Sequence, residues 1–153
     1  MRILLSDAES FPNVGLTWGT WDQKVIKVLK RRMVCSISWQ WYPDKNREVL
    51  ALCDMPGYDP AVPNNKALME AFAKVRAVAD IEVGHNLEQF DDPMYNACMF
   101  LNKIKPGPVT RKIDTLKVLR SRMRLNSNKL DDVCQELGIG KKLKHQGIEM
   151  LTG

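Results

Sequence analysis

The stretch Arg2-Ile3-Leu4-Leu5-Ser6-Asp7-Ala8-Glu9-Ser10 constrains this chain more than any other, because an apolar run near the N-terminus passes straight into two carboxylates one residue apart. Ile3, Leu4 and Leu5 follow one another without polar alternation, the pattern of a strand covered on both faces inside an α/β sheet. Ionised carboxylates cost too much in such a place unless something pairs with them. Side chains two apart on a strand share a face about 7 Å from one another, so one cation between Asp7 and Glu9 could reach both. Oxygen-only ligation favours magnesium or manganese over zinc, and neither histidine of the chain lies nearby in sequence. The pair is also compatible with a polar turn that opens before Phe11-Pro12-Asn13.

A length of 153 residues suits one domain with a real core, and the expectation is a single domain over 1–153. The formal charge of +5 suggests an anionic partner without establishing one. Its distribution says more: from Lys103 to Arg124 there are eight basic residues against the single acid Asp114, and Lys27, Lys30, Arg31 and Arg32 form a smaller cluster. Both also read as solvated faces. Cys35, Cys53, Cys98 and Cys134 make no C-x-x-C pair and read as buried thiols of a reducing compartment. No apolar run reaches membrane-spanning length and no signal peptide is visible, so the expected location is the cytoplasm.

Along the chain, Val14–Trp21 and Lys24–Val28 read as a strand and a short strand, Met33–Trp41 as another, and Pro43–Asn46 as the turn to a hairpin partner over Glu48–Leu52. The first third is thus an antiparallel meander, in which the four tryptophans are expected to supply core area rather than stacking platforms. The segment from Asp54 to Pro63 is a loop. Asn64 or Asn65 caps a helix with Leu68, Ala71, Phe72, Val75 and Ala79 inward, and Ile81-Glu82-Val83 is a short strand ending at Gly84. In Gly84–Pro93, Asp92 reads as an N-cap and Pro93 as the first residue of a helix with Met94, Ala97, Cys98, Leu101 and Ile104 inward. Asp91 then lies at the carboxyl edge of the sheet, where open α/β folds place ligands. His85 alone reads as a hydrogen-bonded structural residue. Further on, residues 115–123 predict a basic helix with Leu116, Leu119 and Met123 inward. A second helix, capped by Asn126-Ser127 and ended by Gly138, turns Leu130, Val133, Cys134 and Leu137 inward, and residues 140–144 form a loop.

Asp7-x-Glu9 on the first strand, a meander, a helix, and then Asn86-x-x-x-Phe90-Asp91 opening the next helix together resemble the DnaQ-like, or DEDD, 3′ to 5′ exonucleases, particularly the small phage and polymerase-associated members. The similarity continues through Lys112–Leu116 and Asn128–Lys142. It implies a ribonuclease H-like α/β domain: a mixed five-stranded sheet, its first three strands antiparallel, flanked by helices. Asp7, Glu9 and Asp91 would be catalytic metal ligands for two ions, magnesium or manganese. Asn86, Phe90, Arg111, Lys112, Lys117 and Arg120 would contact nucleic acid, expected to be single-stranded DNA 3′ ends. The location would be the host cytoplasm if the chain is of phage origin.

The family's fourth carboxylate lies on a final helix in a Tyr-x-x-x-Asp or His-x-x-x-x-Asp pattern, and no Tyr or His after residue 100 has Asp at either spacing. The expectation is therefore a domain lacking that helix and impaired in activity. Apolar sheet surface around Ile3 and Leu5 would then be open to a polymerase or a second copy. The alternative is a catalytically silent nucleic-acid-binding or interaction module of the same fold. Asp114 is read as a strand-end or cap residue rather than a substitute ligand.

Overall fold

The computed structural model describes residues 1–19, 24–105, 107–108 and 110–142. Its main sheet has the order β5-β4-β1-β6-β7, built from β1 (Ile3–Phe11), β4 (Met33–Tyr42), β5 (Arg47–Ala51), β6 (Ile81–Gly84) and β7 (Arg111–Asp114). β1 pairs antiparallel with β4 and parallel with β6. The expected five-stranded mixed sheet with an antiparallel first half is thus present. The two short strands foreseen between β1 and β4 do not join it: β2 (Val14–Leu16) and β3 (Lys27–Lys30) pair only with each other, as a separate ribbon. Part of the strand expected over Val14–Trp21 lies outside the described residues.

One face of the sheet carries the core. Leu4 and Ala8 of β1, with Ile37 of β4, pack against Leu68, Met69 and Phe72 of α1 (Lys66–Arg76) and against Tyr95 and Met99 of α2 (Asp92–Leu101). The Phe72 and Tyr95 rings meet with centroids 4.9 Å apart. The expected inward face of α2 holds in part: Cys98 is buried and Met94 and Ile104 pack against the core, whereas Ala97 and Leu101 are exposed and Tyr95 and Met99 are buried instead.

The other face holds Ile3, Leu5, Asp7 and Glu9, since strand neighbours alternate sides. In register with them stand Tyr42, Gln40, Ser38 and Ser36 of β4, Ile81 and Val83 of β6, and through β6 Arg111 and Ile113 of β7. Ile3, Leu5, Ile81 and Val83 are half-buried and Ile113 is exposed, in contrast to the fully buried Leu4.

α3 (Thr115–Arg122) and α4 (Leu130–Glu136) follow β7. Both are shallower than the sequence suggests. α3 half-buries Leu116 and Leu119 but has no fully buried residue, with Met123 beyond it exposed, and α4 fully buries only Val133 while Leu130 and Leu137 stay exposed. Gly138 does end α4, with φ of 66°, a left-handed value that glycine adopts without Cβ strain. Two composition-based readings also change. Cys35 and Cys98 are buried, yet Cys53 is exposed. Trp39 and Trp41 pack on the core as foreseen, but Trp18 is 88% exposed.

Candidate active site

β1 is longer than the sequence implies, so Asp7 and Glu9 sit inside the strand rather than at its end, opposite Ser38 and Ser36 of β4. The parallel pairing with β6 covers only Ile3 to Leu5. Past Leu5, the β6 side of β1 is no longer occupied by a strand, because β6 ends at Gly84 and the chain turns away. Gly84 is tight against both neighbours: a Cβ there would stand 3.0 Å from Cβ of Leu87 and 3.2 Å from the Ser6 carbonyl oxygen.

The turn that follows delivers Asp91. Asn86 adopts the left-handed conformation, φ 67°, which Asn tolerates better than most residues, and Leu87–Asp91 forms a single π turn that runs into α2. Asp92 is therefore already helical rather than the N-cap expected from Asp-Pro, and it makes no cap bond. Its side chain is used elsewhere. The Arg76 guanidinium donates to Asp92 Oδ1 at 2.7 Å and to both oxygens of buried Glu82 at 2.5 and 2.7 Å, while Lys112 Nζ donates to Asp92 Oδ2 at 2.5 Å. Although burial pushes the Asp92 carboxyl up, the bonds from Lys112 and Arg76 outweigh it and hold the group below the usual carboxylate range. This four-residue network ties α1, β6, β7 and the start of α2 together, and lines a cavity of about 290 Å³ on the core side of the sheet.

Asp91 itself is buried at 3% exposure. Loss of water, followed by repulsion from Asp7, Glu9 and Asp114, pushes its carboxyl up to about 7, against a partial offset from the Ala8 backbone amide. The Ala8 amide belongs to the stretch of β1 that β6 leaves unpaired, so the π turn seats Asp91 in the gap between diverging strands. Desolvation also raises Asp7, with Lys142, the Ala8 amide and His85 pulling the other way. Three carboxylates thus repel one another along this edge of β1, and among the described residues no lysine or arginine forms an ion pair with Asp91. That donor set fits a hard divalent ion: all oxygen, mutually repulsive, and partly withdrawn from water. Among the described residues no group of three or more His, Cys, Asp or Glu side chains is placed closely enough to hold a metal ion as it stands.

Asp114 closes β7 and caps α3, as its position suggested. Its carboxylate accepts from the amides of Asn86 at 2.9 Å, Glu88 at 3.1 Å and Leu116 at 3.0 Å. Although burial works against ionisation, these amide bonds hold the group below the usual range. The carboxylate is occupied in shaping the π turn, so it positions Asp91 rather than replacing a ligand. Sequence reasoning missed this role because Asn86 and Glu88 lie 28 and 26 residues away. His85 is likewise structural: Nε2 donates to the Asn128 carbonyl at 2.9 Å, and Nδ1 lies 3.0 Å from the Thr115 hydroxyl, which can donate to it.

A cleft of about 550 Å³ runs over Asp7, lined among others by Leu5, Gln40, His85, Thr115 and Leu130. Beside it Asn86 and Arg120 line a shallower hollow of about 420 Å³. Of the residues expected to touch nucleic acid, Phe90 is exposed, and Arg111 is exposed on the sheet face that carries Asp7. Lys112 and Lys117 are engaged with Asp92 and Glu88.

The fold and this edge define a ribonuclease H-like α/β domain of the exonuclease type. The sequence profile of the exonuclease family RNase_T matches residues 58–149, more than half of the chain, and the chain belongs to that family. The matched region includes Asp91 and begins after the strand that bears Asp7 and Glu9. Compared with curated proteins, the sequence matches none. Among solved structures, the family B DNA polymerase from the hyperthermophilic archaeon Pyrobaculum calidifontis superposes with a TM-score of 0.64 at 15% identity. The match covers 92% of this chain and 18% of the polymerase, so the similarity is one of fold and spans less than a fifth of that protein. Among the described residues no helix is long and apolar enough to cross a membrane.

Proposed function

We propose that this domain removes nucleotides from the 3′ end of DNA, with Asp7, Glu9 and Asp91 holding two divalent ions, magnesium or manganese. The observation that carries the reading is the seating of buried Asp91 by the π turn beside the unpaired edge of β1, where Asp7 and Glu9 already stand. Family membership supports hydrolysis of nucleic acid; the donor set supports hard cations. When bound, such a pair of ions supplies a nucleophilic hydroxide and charge stabilisation at a phosphodiester.

The chain's own residues do the rest. Asp7 and Glu9 fix one side of the site from a rigid strand, and Asp91 fixes the other. Asp114, through the amides of Asn86 and Glu88, holds the turn that aims Asp91. Phe90 offers an apolar ring beside it for a terminal base, while Arg120, in the hollow beside the cleft, offers positive charge for phosphates.

Two measurements with the purified chain test this. Calorimetric titration with manganese should show binding that Asp91→Asn weakens at least tenfold, since one charge is removed at nearly constant volume. A 3′-labelled single-stranded oligonucleotide should lose its label in manganese and keep it in EDTA. Manganese affinity undiminished by Asp91→Asn would remove the ligand assignment. Binding of manganese and DNA without digestion would instead favour the silent-module reading of the same fold.

A further inference from the structure

The β2–β3 ribbon is the part of the molecule least explained by its own packing. It pairs with no strand of the main sheet, yet Val14, Leu16, Val25, Ile26, Val28 and Leu29 are all exposed. An isolated two-stranded hairpin is marginally stable in water, and one with apolar side chains in solvent on every side gains little from its own side chains. Residues 24 to 32 also hold five cations, Lys24, Lys27, Lys30, Arg31 and Arg32, and no acid. Among the described residues none of the five forms an ion pair. Two residues past β2, in a bend of the chain, Trp18 stands 88% exposed.

The base of the ribbon is anchored, and anchored at the candidate site. Arg32 N donates to Asn13 Oδ1 at 2.6 Å, closing the neck between β1 and β4. The Arg32 guanidinium lies over the Phe90 ring, 5.7 Å from its centroid. Phe90 precedes Asp91. The ribbon therefore springs from the strand that bears Asp7 and Glu9, and its basic root leans on the residue next to the third carboxylate.

From this placement we infer that the ribbon is an arm that grips single-stranded nucleic acid, its lysines on the phosphates and Trp18 stacked on a base, and leads the strand toward the carboxylates. The inference rests on the nucleic-acid-cleaving reading of the site for its direction, but its binding test does not use cleavage. Five cations with no ion pair among the described residues match a polyanion, and a basic surface interleaved with an exposed indole is the composition that single-strand binders use. The aliphatic side chains between the lysines suit the faces of unstacked bases, whereas a protein partner would have to bury the five charges alongside them.

The test measures anisotropy of a fluorescein-labelled oligothymidylate with the full chain in EDTA across a salt series. Replacing Lys24, Lys27 and Lys30 together by Ala removes three phosphate contacts. The slope of log affinity against log salt should then become shallower by about 2, and affinity at about 0.1 M salt should fall roughly 100-fold. Trp18→Ala should cost roughly 5- to 100-fold with the slope unchanged, because stacking is lost and charge is not. The matching triple Lys→Arg variant should keep the wild-type slope. An unchanged slope in the triple Ala variant overturns the arm, as does failure of the wild type to bind or an equal loss in the Lys→Arg variant. Label release in manganese is scored separately on the wild type, so a failed arm and a failed exonuclease assignment give different patterns.

Discussion

Arg76 is the residue whose loss should reveal most about how the site is held. Its side chain is only 12% exposed and its guanidinium serves Glu82, itself 1% exposed, and Asp92 at once. Burial works to lower the guanidinium's affinity for its proton, but the bonds to Glu82 and Asp92 raise it above its already high value. Arg76→Met keeps most of the apolar stem and deletes the charge, whose guanidinium carbon lies 5.3 Å from the centroid of the Tyr95 ring. Glu82 then remains as a buried carboxylate without its bidentate partner, whereas Asp92 keeps Lys112. Breaking a buried pair on one side costs about 3–5 kcal/mol. For a domain of this size that is a fall in Tm of roughly 6–20 °C. Thermal unfolding followed by far-UV circular dichroism measures it directly. The double change Arg76→Met with Glu82→Met should recover most of the loss, because replacing both charges with apolar groups removes the desolvation cost. Since Asp92 starts the helix that follows Asp91, the single variant should also weaken manganese binding. A loss below about 1 kcal/mol, the range of exposed pairs, would show that water reaches Glu82 and that the network does not brace the site. So would a double variant no more stable than the single one.

Two further outcomes follow from the carboxylates. Asp91 has a folded-state value raised to about 7, so its contribution to stability is fully present below the usual carboxylate range and is lost as pH rises toward and through 7. The unfolding midpoint in EDTA should therefore fall between pH 5 and pH 8, an interval in which Asp92 and Asp114, both held low, do not titrate. Manganese should abolish most of that fall, and Asp91→Asn should abolish it without metal; a midpoint flat in EDTA would contradict the crowding around Asp91. Asp114→Ala should cost about 2–4 kcal/mol by urea unfolding, since three amides lose a charged acceptor, and should lower manganese affinity although Asp114 is no ligand. Loss of stability with unaltered manganese affinity would confine Asp114 to a capping role.

The linear pattern was enough for four strands of the sheet, though not for β7 or for the pairing of β2 and β3 apart from it. The apolar run into Asp7-x-Glu9, the alternating Met33–Trp41 stretch with its turn and return strand, and the helical period of Leu68 and Phe72 all report on neighbours two to four residues apart. Such signals are local and survive without the fold. The residues for the candidate site were legible on the same terms, because carboxylates next to apolar runs stand out in one dimension. What only the tertiary structure decided is how they are brought together. β6 stops pairing with β1 at Leu5, and the space it leaves receives a π turn whose shape is fixed by Asp114. The same holds for the Arg76–Glu82–Asp92–Lys112 network, whose members come from four elements. Burial followed that rule as well. Periodicity gave each helix an apolar stripe, but α2 buries Tyr95 and Met99 where Ala97 and Leu101 were expected, and α3 only half-buries Leu116 and Leu119. Trp18 and Trp39 are the same residue type in β-rich sequence, yet one stands in water and the other on the core. A side chain's type fixes what burial would be worth; whether burial happens depends on which distant segment arrives to cover it, and that is a property of the whole chain's packing.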